Sequence, residues 1–313
     1  MGKTHPSEQV AIIVVSFNTR DLLLACLASI ESSVRNDAVE IVVVDNASTD
    51  GSREAVSGAY PQAVLIENSK NIGFGAACNR AIEATRSPFI LLLNSDAELT
   101  PEAFQALCDS MKSREGCGAA GCSMVNARGE TLTSTRYFLT PFNQAIEQAG
   151  FPSSLNIRGL NRTYSPRPDG SGIDCSVDWI EGACLMLRRE ALAEAGLFDE
   201  RFFMYSEEED LCRRLRQRGW AVCYSARGRA VHHGGASSEG SRQEMLLQFY
   251  TSQMLFLEKH RGPRAVALYA AVMKMLLAVK RLYYEAGRND GAAAEFNERL
   301  AALKKAYSRG FSK

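Results

Sequence analysis

Unbroken apolar runs alternate with helix-patterned stretches through the first hundred residues. Val10–Val15 is a continuous, largely β-branched run that ends at Ser16-Phe17-Asn18. From Asp21 to Ile30 the apolar positions Leu22, Leu23, Cys26, Leu27 and Ile30 recur with helical spacing. Glu40–Val44 is a second strand-like run, ending at Asp45-Asn46, and Asp50-Gly51-Ser52 opens another helix. Ala63–Ile66 reads as a third strand, Gly75–Thr85 as a helix, and Phe89–Leu93 as a fourth strand ending at Asn94. Strands that are apolar on both faces and alternate with helices imply a parallel sheet covered on both sides. In such sheets ligands bind beyond the carboxyl ends of the strands. Here those ends carry Asn18, Asp45-Asn46 and Asn94-Ser95-Asp96.

Further along, Glu102–Lys112 predicts a helix, and Gly118–Val125 a short apolar segment. Residues 126–177 are rich in Gly, Pro, Ser, Asn and Arg and read as long functional loops with short helices. Trp179–Leu187 predicts one strand, Glu190–Ala195 a short helix, and Trp220–Tyr224 another strand. Between them Ser206–Arg218 is helical, with Ser206 and Glu209 forming a capping box and Gly219 the stop. A Gly/Ser-rich turn follows at Gly234–Gly240, and from Gln243 onward the pattern is helical with a break at Gly262-Pro263. The expected division is an α/β domain over 1–240 and a basic helical extension over 241–313.

Composition narrows the class. Hydrophobic residues make up 46% and charged residues 23% of 313, which excludes a mostly disordered chain. Lys+Arg and Asp+Glu both number 36, but residues 259–313 hold twelve Lys/Arg against four Asp/Glu, leaving residues 1–258 at −8. That asymmetry suggests a basic face meeting something anionic, a membrane surface or a nucleic acid. Nine cysteines, without a CxxC, argue against a zinc site and a disulfide scaffold and fit a reducing cytosol. The longest apolar stretch, Ala265–Val279, is interrupted by Lys274 and is short of the roughly 20 residues a membrane span needs. No GxGxxG follows the first strand, and neither a Walker A pattern nor GxSxG occurs.

Four clusters carry candidate chemistry. Asp45, at a strand end, is able to accept from a base imide N–H or a ribose hydroxyl; a turn and a helix cap account for Asp50 and Ser52. Asp96 and Glu98 sit two apart on an extended segment, so both point to one side and suit a hard divalent ion. Glu207-Glu208-Glu209-Asp210 is more acidic than a helix N-terminus requires, and one of these is suited to serve as a general base. It follows Phe202-Phe203-Met204-Tyr205, an aromatic run suited to wall a sugar pocket. His232-His233 pairs two of the four histidines at a strand end, where imidazole would ligate a metal.

Together these segments resemble glycosyltransferase family 2, and most closely its rhamnosyltransferase-like branch. The matching stretches, in the family's order, are Val14–Asn18, Val43–Gly51, Asn71–Asn79, Leu92–Glu98, Asp178–Ala183, Gly196–Tyr205 with the acidic run, and Val231–Gly235. Phe256–Pro263 looks like the tail of that branch. The resemblance implies a GT-A fold, a Rossmann-like, mostly parallel α/β sheet flanked by helices, with a C-terminal helical extension. It implies that Asp45 contacts the donor's base, with Ser16, Phe17, Asn18, Asn71, Gly73 and Phe74 shaping the nucleotide pocket beside Asn94 and Ser95. It puts Asp96 on a Mn²⁺ or Mg²⁺ ion bridging the donor diphosphate, with Glu98 nearby. His232 aligns as the additional ligand, with His233 as the fallback. Trp179, Glu181 and Gly182 would line the sugar and acceptor region. The family's catalytic Asp position is occupied by Glu208, with Glu207 or Asp210 as substitutes. Asn94 stands where many members carry Asp.

The implied activity is inverting transfer of a sugar to a hydroxyl of a glycan or lipid-linked acceptor in bacterial surface polysaccharide synthesis. Rhamnose from dTDP-rhamnose is the first expectation, then a UDP-sugar. No nucleic-acid partner is implied, and a homodimer is left open. A non-catalytic nucleotide-sugar-binding subunit is the alternative; a sugar nucleotidyltransferase would need a Gly-rich basic loop near the first strand, which is absent. In the tail, Tyr269, Val272, Met273, Leu276, Leu277, Lys280 and Arg281 form a face suited to the inner surface of the plasma membrane or, as the favoured reading, to packing on protein. Arg213, Arg214, Arg216 and Arg218 read as a solvated helix face.

Overall fold

A computed structural model of the chain describes residues 10–34, 39–144, 175–234 and 242–311. They group into two compact units. The first takes the described residues up to Arg136, those from 175 to Arg201, and those from Glu207 to 234; the second takes the remainder.

The first unit is a mixed sheet flanked by helices. Its parallel half is β1 (Val10–Ser16), β2 (Val39–Asp45), β3 (Val64–Glu67) and β4 (Phe89–Asn94), in the order β3-β2-β1-β4. The helices α1 (Arg20–Val34), α2 (Ser52–Ala59) and α3 (Phe74–Ala84) connect these strands. β1 and β2 bury Ile12, Val14, Val42 and Val43 almost completely, as unbroken apolar strands between helical layers must. Leu23, Cys26, Leu27 and Ile30 of α1 are buried with them.

Beyond β4 the sheet departs from a parallel pattern. β11 (Cys184–Arg188) runs antiparallel between β4 and β6 (Cys117–Val125), and β12 (Ala221–His232) continues parallel to β6. The short β5 (Ala97–Glu98) pairs antiparallel with the end of β12. α4 (Pro101–Ser113) lies between β5 and β6 in the chain; Thr100 caps it by accepting from Ala103 N at 3.1 Å, and Pro101 begins it.

Several expectations are corrected. Trp179–Leu187 is not one strand: β10 (Trp179–Ile180) pairs with β8 (Thr135–Arg136) in a separate two-stranded sheet, and only β11 joins the main one. The break falls at Glu181–Ala183, where the Gly182 N–H turns to a side chain instead of a strand neighbour. β12 runs to His232, well past Tyr224, by absorbing a bulge between Ser225 and Arg229. Ser206 has φ 63 and Tyr205 φ 70, both left-handed, whereas a capping-box serine is extended. The loops expected over 126–177 are described at 126–144 and 175–177, where they hold the short strands β7 (Thr131–Leu132), β8 and β9 (Cys175–Ser176), and the turn at 234–240 lies outside the described residues beyond Gly234.

α5 (Arg189–Ala195) and α6 (Glu207–Gln217) complete the first unit. Of the arginines expected as a solvated face, Arg216 and Arg218 are exposed, whereas Arg213 and Arg214 are half-buried. Arg214 pairs with Asp210 at 2.8 Å and donates to the carbonyls of Ala195, Gly196 and Leu197; Arg216 pairs with Asp178.

The second unit is built on α7 (Arg242–Arg261), α8 (Pro263–Ala286) and α9 (Asp290–Gly310), which pack on one another. Gly262 at φ 81 makes the α7–α8 break, a backbone state that favours glycine. Tyr250, Met254, Phe256, Tyr269, Met273, Leu277 and Leu303 form its core. Phe202 is buried in that core and is not a pocket wall, while Phe203 is exposed. Tyr269, Met273 and Leu277 are also covered there, in line with the favoured reading of that face as one that packs on protein. Among the described residues no helix is long and apolar enough to cross a membrane.

Candidate active site

Strand register brings the predicted polar residues to one edge of the sheet. Ser16 is level with Asp45, Asp45 with Glu67, and Val15 with Asn94. The chain leaves β1 through Phe17 and Asn18, with Asn18 in the left-handed region at φ 52. Asn18 N donates to Ser48 Oγ at 3.0 Å, and Asn18 Oδ1 accepts from Thr49 N at 2.8 Å. The β1 and β2 exits are therefore tied to each other. Asp50 is spent on local structure: its carboxylate accepts from Ser52 N and Oγ and from Arg20 N at the start of α1.

Asp45 is buried to 1% exposure. Its Oδ2 accepts from Ser48 N at 3.0 Å and lies 3.7 Å from Arg53 Nε, while Oδ1 is buried without a hydrogen-bond partner. A buried carboxylate oxygen left open is costly unless something else donates to it. Beside it, Asn68 Nδ2 donates to Asn46 Oδ1, and Asn46 Nδ2 to Gly73 O at 3.2 Å. Asn71 Oδ1 accepts from Gly73 N at 3.0 Å, folding the turn that leads into α3. Phe74, first in α3, stands edge-on to Phe198.

A hydroxyl chain joins the β1 and β4 exits: Ser16 Oγ is 3.0 Å from Thr19 Oγ1, which donates to Ser95 Oγ at 2.9 Å. Asn94 N donates to Ala183 O at 3.0 Å. Next along, Asp96 is buried, and His232 Nε2 lies 3.2 Å from its Oδ1. His233 Nε2 is 2.7 Å from Glu98 Oε1, and His233 N donates to Asp96 O at 2.9 Å. The β5–β12 pairing aligns Ala97 with His232, so the four side chains form two carboxylate–imidazole pairs at one strand end. Among the described residues no three such groups converge on a single point. Carboxylate oxygens with imidazole nitrogens are nevertheless the donor chemistry that suits Mn²⁺, and in chemical type this set fits such an ion.

The acidic run divides by direction. Glu207 is buried, its Cβ beside Gly75 of α3, and its Oε2 has no hydrogen-bond partner. Glu208 turns to the β10–β11 turn, where its Oε1 accepts the Gly182 N–H at 2.9 Å and its Oε2 is buried without a partner. Asp210, fully buried, is paired with Arg214. Burial pushes the Glu207 carboxyl well above the usual range, and the charge of Glu208 adds to it. Burial also raises Glu208, against the opposing effect of the Gly182 N–H. Glu181 is bound to Arg136 Nε at 2.7 Å, and Trp179 is level with Arg136 across the β8–β10 pair.

Ser16, Asn18, Asp45, Asn71, Gly73, Asn94 and Ser95 thus share the edge formed by the β1, β2 and β4 exits. Asp96, Glu98, His232 and His233 form one group; Trp179, Glu181, Gly182 and Glu208 form another. Thr19, Arg53 and Arg136 were not foreseen. Arg53 is the second residue of the helix that follows Asp45, a usable clue, whereas Arg136 sits in a stretch with no pattern to mark it.

A family model described as "Glycosyl transferase family 2" matches residues 11–172, just over half of the chain. An N-acetylglucosaminyl-diphospho-decaprenol L-rhamnosyltransferase of Mycobacterium tuberculosis is 27% identical over 274 residues, covering 82% of this chain and 86% of that protein. The O-antigen biosynthesis protein RfbC of Myxococcus xanthus is 28% identical over 233 residues, 73% of this chain but 18% of that much longer protein. Among solved structures, the mannosyltransferase PcManGT from Pyrobaculum calidifontis, in complex with GDP-Man and Mn²⁺, aligns over 98% of this chain and 87% of its own. Its TM-score is 0.57 at 18% identity. GalNAc-T7 with UDP, GalNAc and Mn²⁺ aligns over 98% and 57%, at TM-score 0.58 and 13% identity. These likenesses bear out the GT-A type fold.

Proposed function

The chain belongs to glycosyltransferase family 2, and from that premise we propose an inverting transferase that uses Glu208 as its base and a divalent ion at the Asp96 group. The observation that carries the reading is the Glu208 carboxylate, one oxygen held by the Gly182 N–H and the other buried and open. Such a carboxylate is fixed in orientation yet retains an acceptor position for an incoming hydroxyl proton. Asp210 is engaged by Arg214, and the Gly182 N–H fixes Glu208 at the β10–β11 turn among Trp179 and Glu181, which favours Glu208.

In this reading Asp45 Oδ1 accepts from the base or ribose of the donor, and the Asn18, Asn71–Phe74 and Asn94–Ser95 segments shape the nucleotide pocket. Asp96 and His232, with Glu98 and His233 beside them, would hold Mn²⁺ or Mg²⁺. That ion supplies neutralisation of the leaving diphosphate's charge. Glu208 takes the proton of the acceptor hydroxyl as its oxygen attacks the anomeric carbon. The bond from that carbon to the diphosphate oxygen breaks on the opposite face, so the anomeric centre inverts. Trp179, Glu181 and Gly182 line the sugar and acceptor side, and orientation contributes much of the rate. The relative from Mycobacterium tuberculosis supports rhamnose as the first sugar to test and a lipid-linked sugar as acceptor, and dTDP-rhamnose is the donor form in which we would supply it.

The test is donor turnover by the full chain. dTDP-rhamnose, UDP-glucose, UDP-galactose, UDP-N-acetylglucosamine and GDP-mannose are each supplied with Mn²⁺, Mg²⁺ or EDTA, with and without a polyprenyl-diphosphate-linked sugar. Metal-dependent release of nucleoside diphosphate from one donor, lost in Glu208→Gln and Asp96→Asn, is the expected result. Metal-dependent donor binding without release, even with acceptor present, would favour the non-catalytic alternative.

A further inference from the structure

A second apolar face runs the length of α8, opposite the one that builds the helical core. Tyr269, Met273 and Leu277 are completely buried, whereas Leu268, Met275, Val279, Leu282 and Tyr283 are 43%, 65%, 58%, 54% and 72% exposed. Spacings of seven, four and three residues put Leu268, Met275, Val279 and Leu282 on one side of the helix, and Tyr283 adjoins Leu282 at its margin. The stripe is about 22 Å long at 1.5 Å per residue. Exposed large apolar residues scattered singly need no explanation, but a continuous stripe marks a contact surface.

The charges around the stripe indicate what it meets. Arg264 precedes it, Lys274 lies along its border and Arg288 follows its end, all three exposed. Glu285 is the one carboxylate on α8, and it is engaged by Arg281 at 3.4 Å. An apolar helix face with a cationic border matches a bilayer interface, with side chains among the acyl chains and cations at anionic headgroups. A second copy of the chain would bring like-charged borders together. A span across the bilayer is excluded for this helix, which is not apolar enough to cross.

We propose that α8 lies flat in an anionic lipid surface, inserting Leu268, Met275, Val279, Leu282 and Tyr283 and setting Arg264 and Lys274 against the headgroups. This contact is separate from the transfer reaction and does not depend on the identity of the donor.

The experiment is co-sedimentation of the full chain with vesicles of phosphatidylglycerol and phosphatidylcholine, compared with pure phosphatidylcholine, at low and high salt. The wild type is expected to bind the anionic vesicles, with binding weakened by salt. The pair Val279→Glu/Leu282→Glu is expected to lower bound protein at least tenfold. Arg264→Glu/Lys274→Glu is expected to abolish the preference for anionic lipid. Both pairs change exposed positions, so far-UV circular dichroism and thermal midpoint close to wild type establish that folding is intact. A wild type that ignores anionic vesicles, or stripe variants that bind as well as wild type, would overturn the proposal. So would a wild-type dimer, detected by light scattering, that the stripe variants split while vesicles remain unbound. Nucleoside diphosphate release without vesicles is read in parallel, so failure of the transferase reading is seen separately.

Discussion

Gly182 gives its N–H to Glu208 Oε1 at 2.9 Å, and a β-carbon at position 182 would stand 3.1 Å from that same oxygen. Donation and the empty side-chain position act together: the carboxylate approaches the backbone only because nothing projects from it. Gly182→Ala is expected to push the carboxylate aside without disturbing the fold, since the atom it meets ends a flexible side chain. Turnover should fall roughly tenfold or more, as small displacements of reacting groups do. Glu208→Gln keeps the Gly182 contact but cannot take a proton, and should lose roughly 10²–10⁴-fold in kcat. Steady-state kinetics with donor binding measured separately checks both; normal donor binding by the two variants is part of the expectation.

The same carboxylates set the pH dependence. Burial raises Glu208, so the acidic limb of kcat/KM should lie above the ordinary glutamate pKa of about 4.3. Arg136 opposes that rise, and Glu181, which it neutralises, adds to it. Arg136→Gln removes the cation and leaves the anion, so the limb should move to higher pH. A limb that moves down or stays fixed would separate Arg136 from the base.

Stability follows the opposite sense from an ordinary paired carboxylate. Glu207 has a folded-state pKa well above its unfolded value, so the folded chain binds more protons than the unfolded one. Its contribution is fully present below the unfolded pKa, about 4.3, and is lost as pH rises through the folded value. Glu207→Gln should therefore raise the thermal midpoint at pH 8 and flatten its fall between pH 5 and 8. Thermal melts across that range, with wild type alongside, measure it.

Asp45 offers a separate test of donor recognition. Asp45→Asn retains an oxygen for Ser48 N but loses the charge beside Arg53 and the open oxygen's capacity to accept from a donor N–H or hydroxyl. A hydrogen bond to a charged group is worth about 1.5–3 kcal/mol, so donor KM should rise roughly 10–100-fold while kcat changes little. Competition with free nucleoside diphosphate shows whether the loss lies in nucleotide binding.

What the chain disclosed by pattern alone has a physical boundary. β1, β2 and β4 were readable because strands covered on both faces are apolar at every position, and Asp45 and Asp96 stood out as the polar residues that end such runs. The reversal of β11 was not readable, because its neighbours β4 and β6 are chosen by contacts more than sixty residues away. Gly182 looked like a strand residue for the same reason: its partner is Glu208, on another element. α8 carries apolar residues on two faces; helical spacing put Tyr269, Met273 and Leu277 on one of them, and the packing of α7 and α9 makes that face the buried one.

Two glycines with opposite surroundings test the packing account directly. A β-carbon on Gly228, in the bulged part of β12, would lie 2.6 Å from Ala103 Cα and 2.9 Å from Glu102 O, both backbone atoms of α4. α4 cannot retreat freely, because Thr100 Oγ1, just before it, donates to Arg229 O at 2.7 Å beside the same bulge. Gly228→Ala should therefore cost about 1–3 kcal/mol, the usual range for overpacking. Gly58 lies in α2 with nothing within 4 Å of the added carbon and without a positive φ. There alanine restricts the unfolded chain and suits the helix, so Gly58→Ala should stabilise by about 0.4–1 kcal/mol. Urea unfolding of the two variants should move the midpoint in opposite directions with unchanged slopes. A Gly228→Ala midpoint equal to wild type would mean that β12 and α4 are not packed as closely as these distances require.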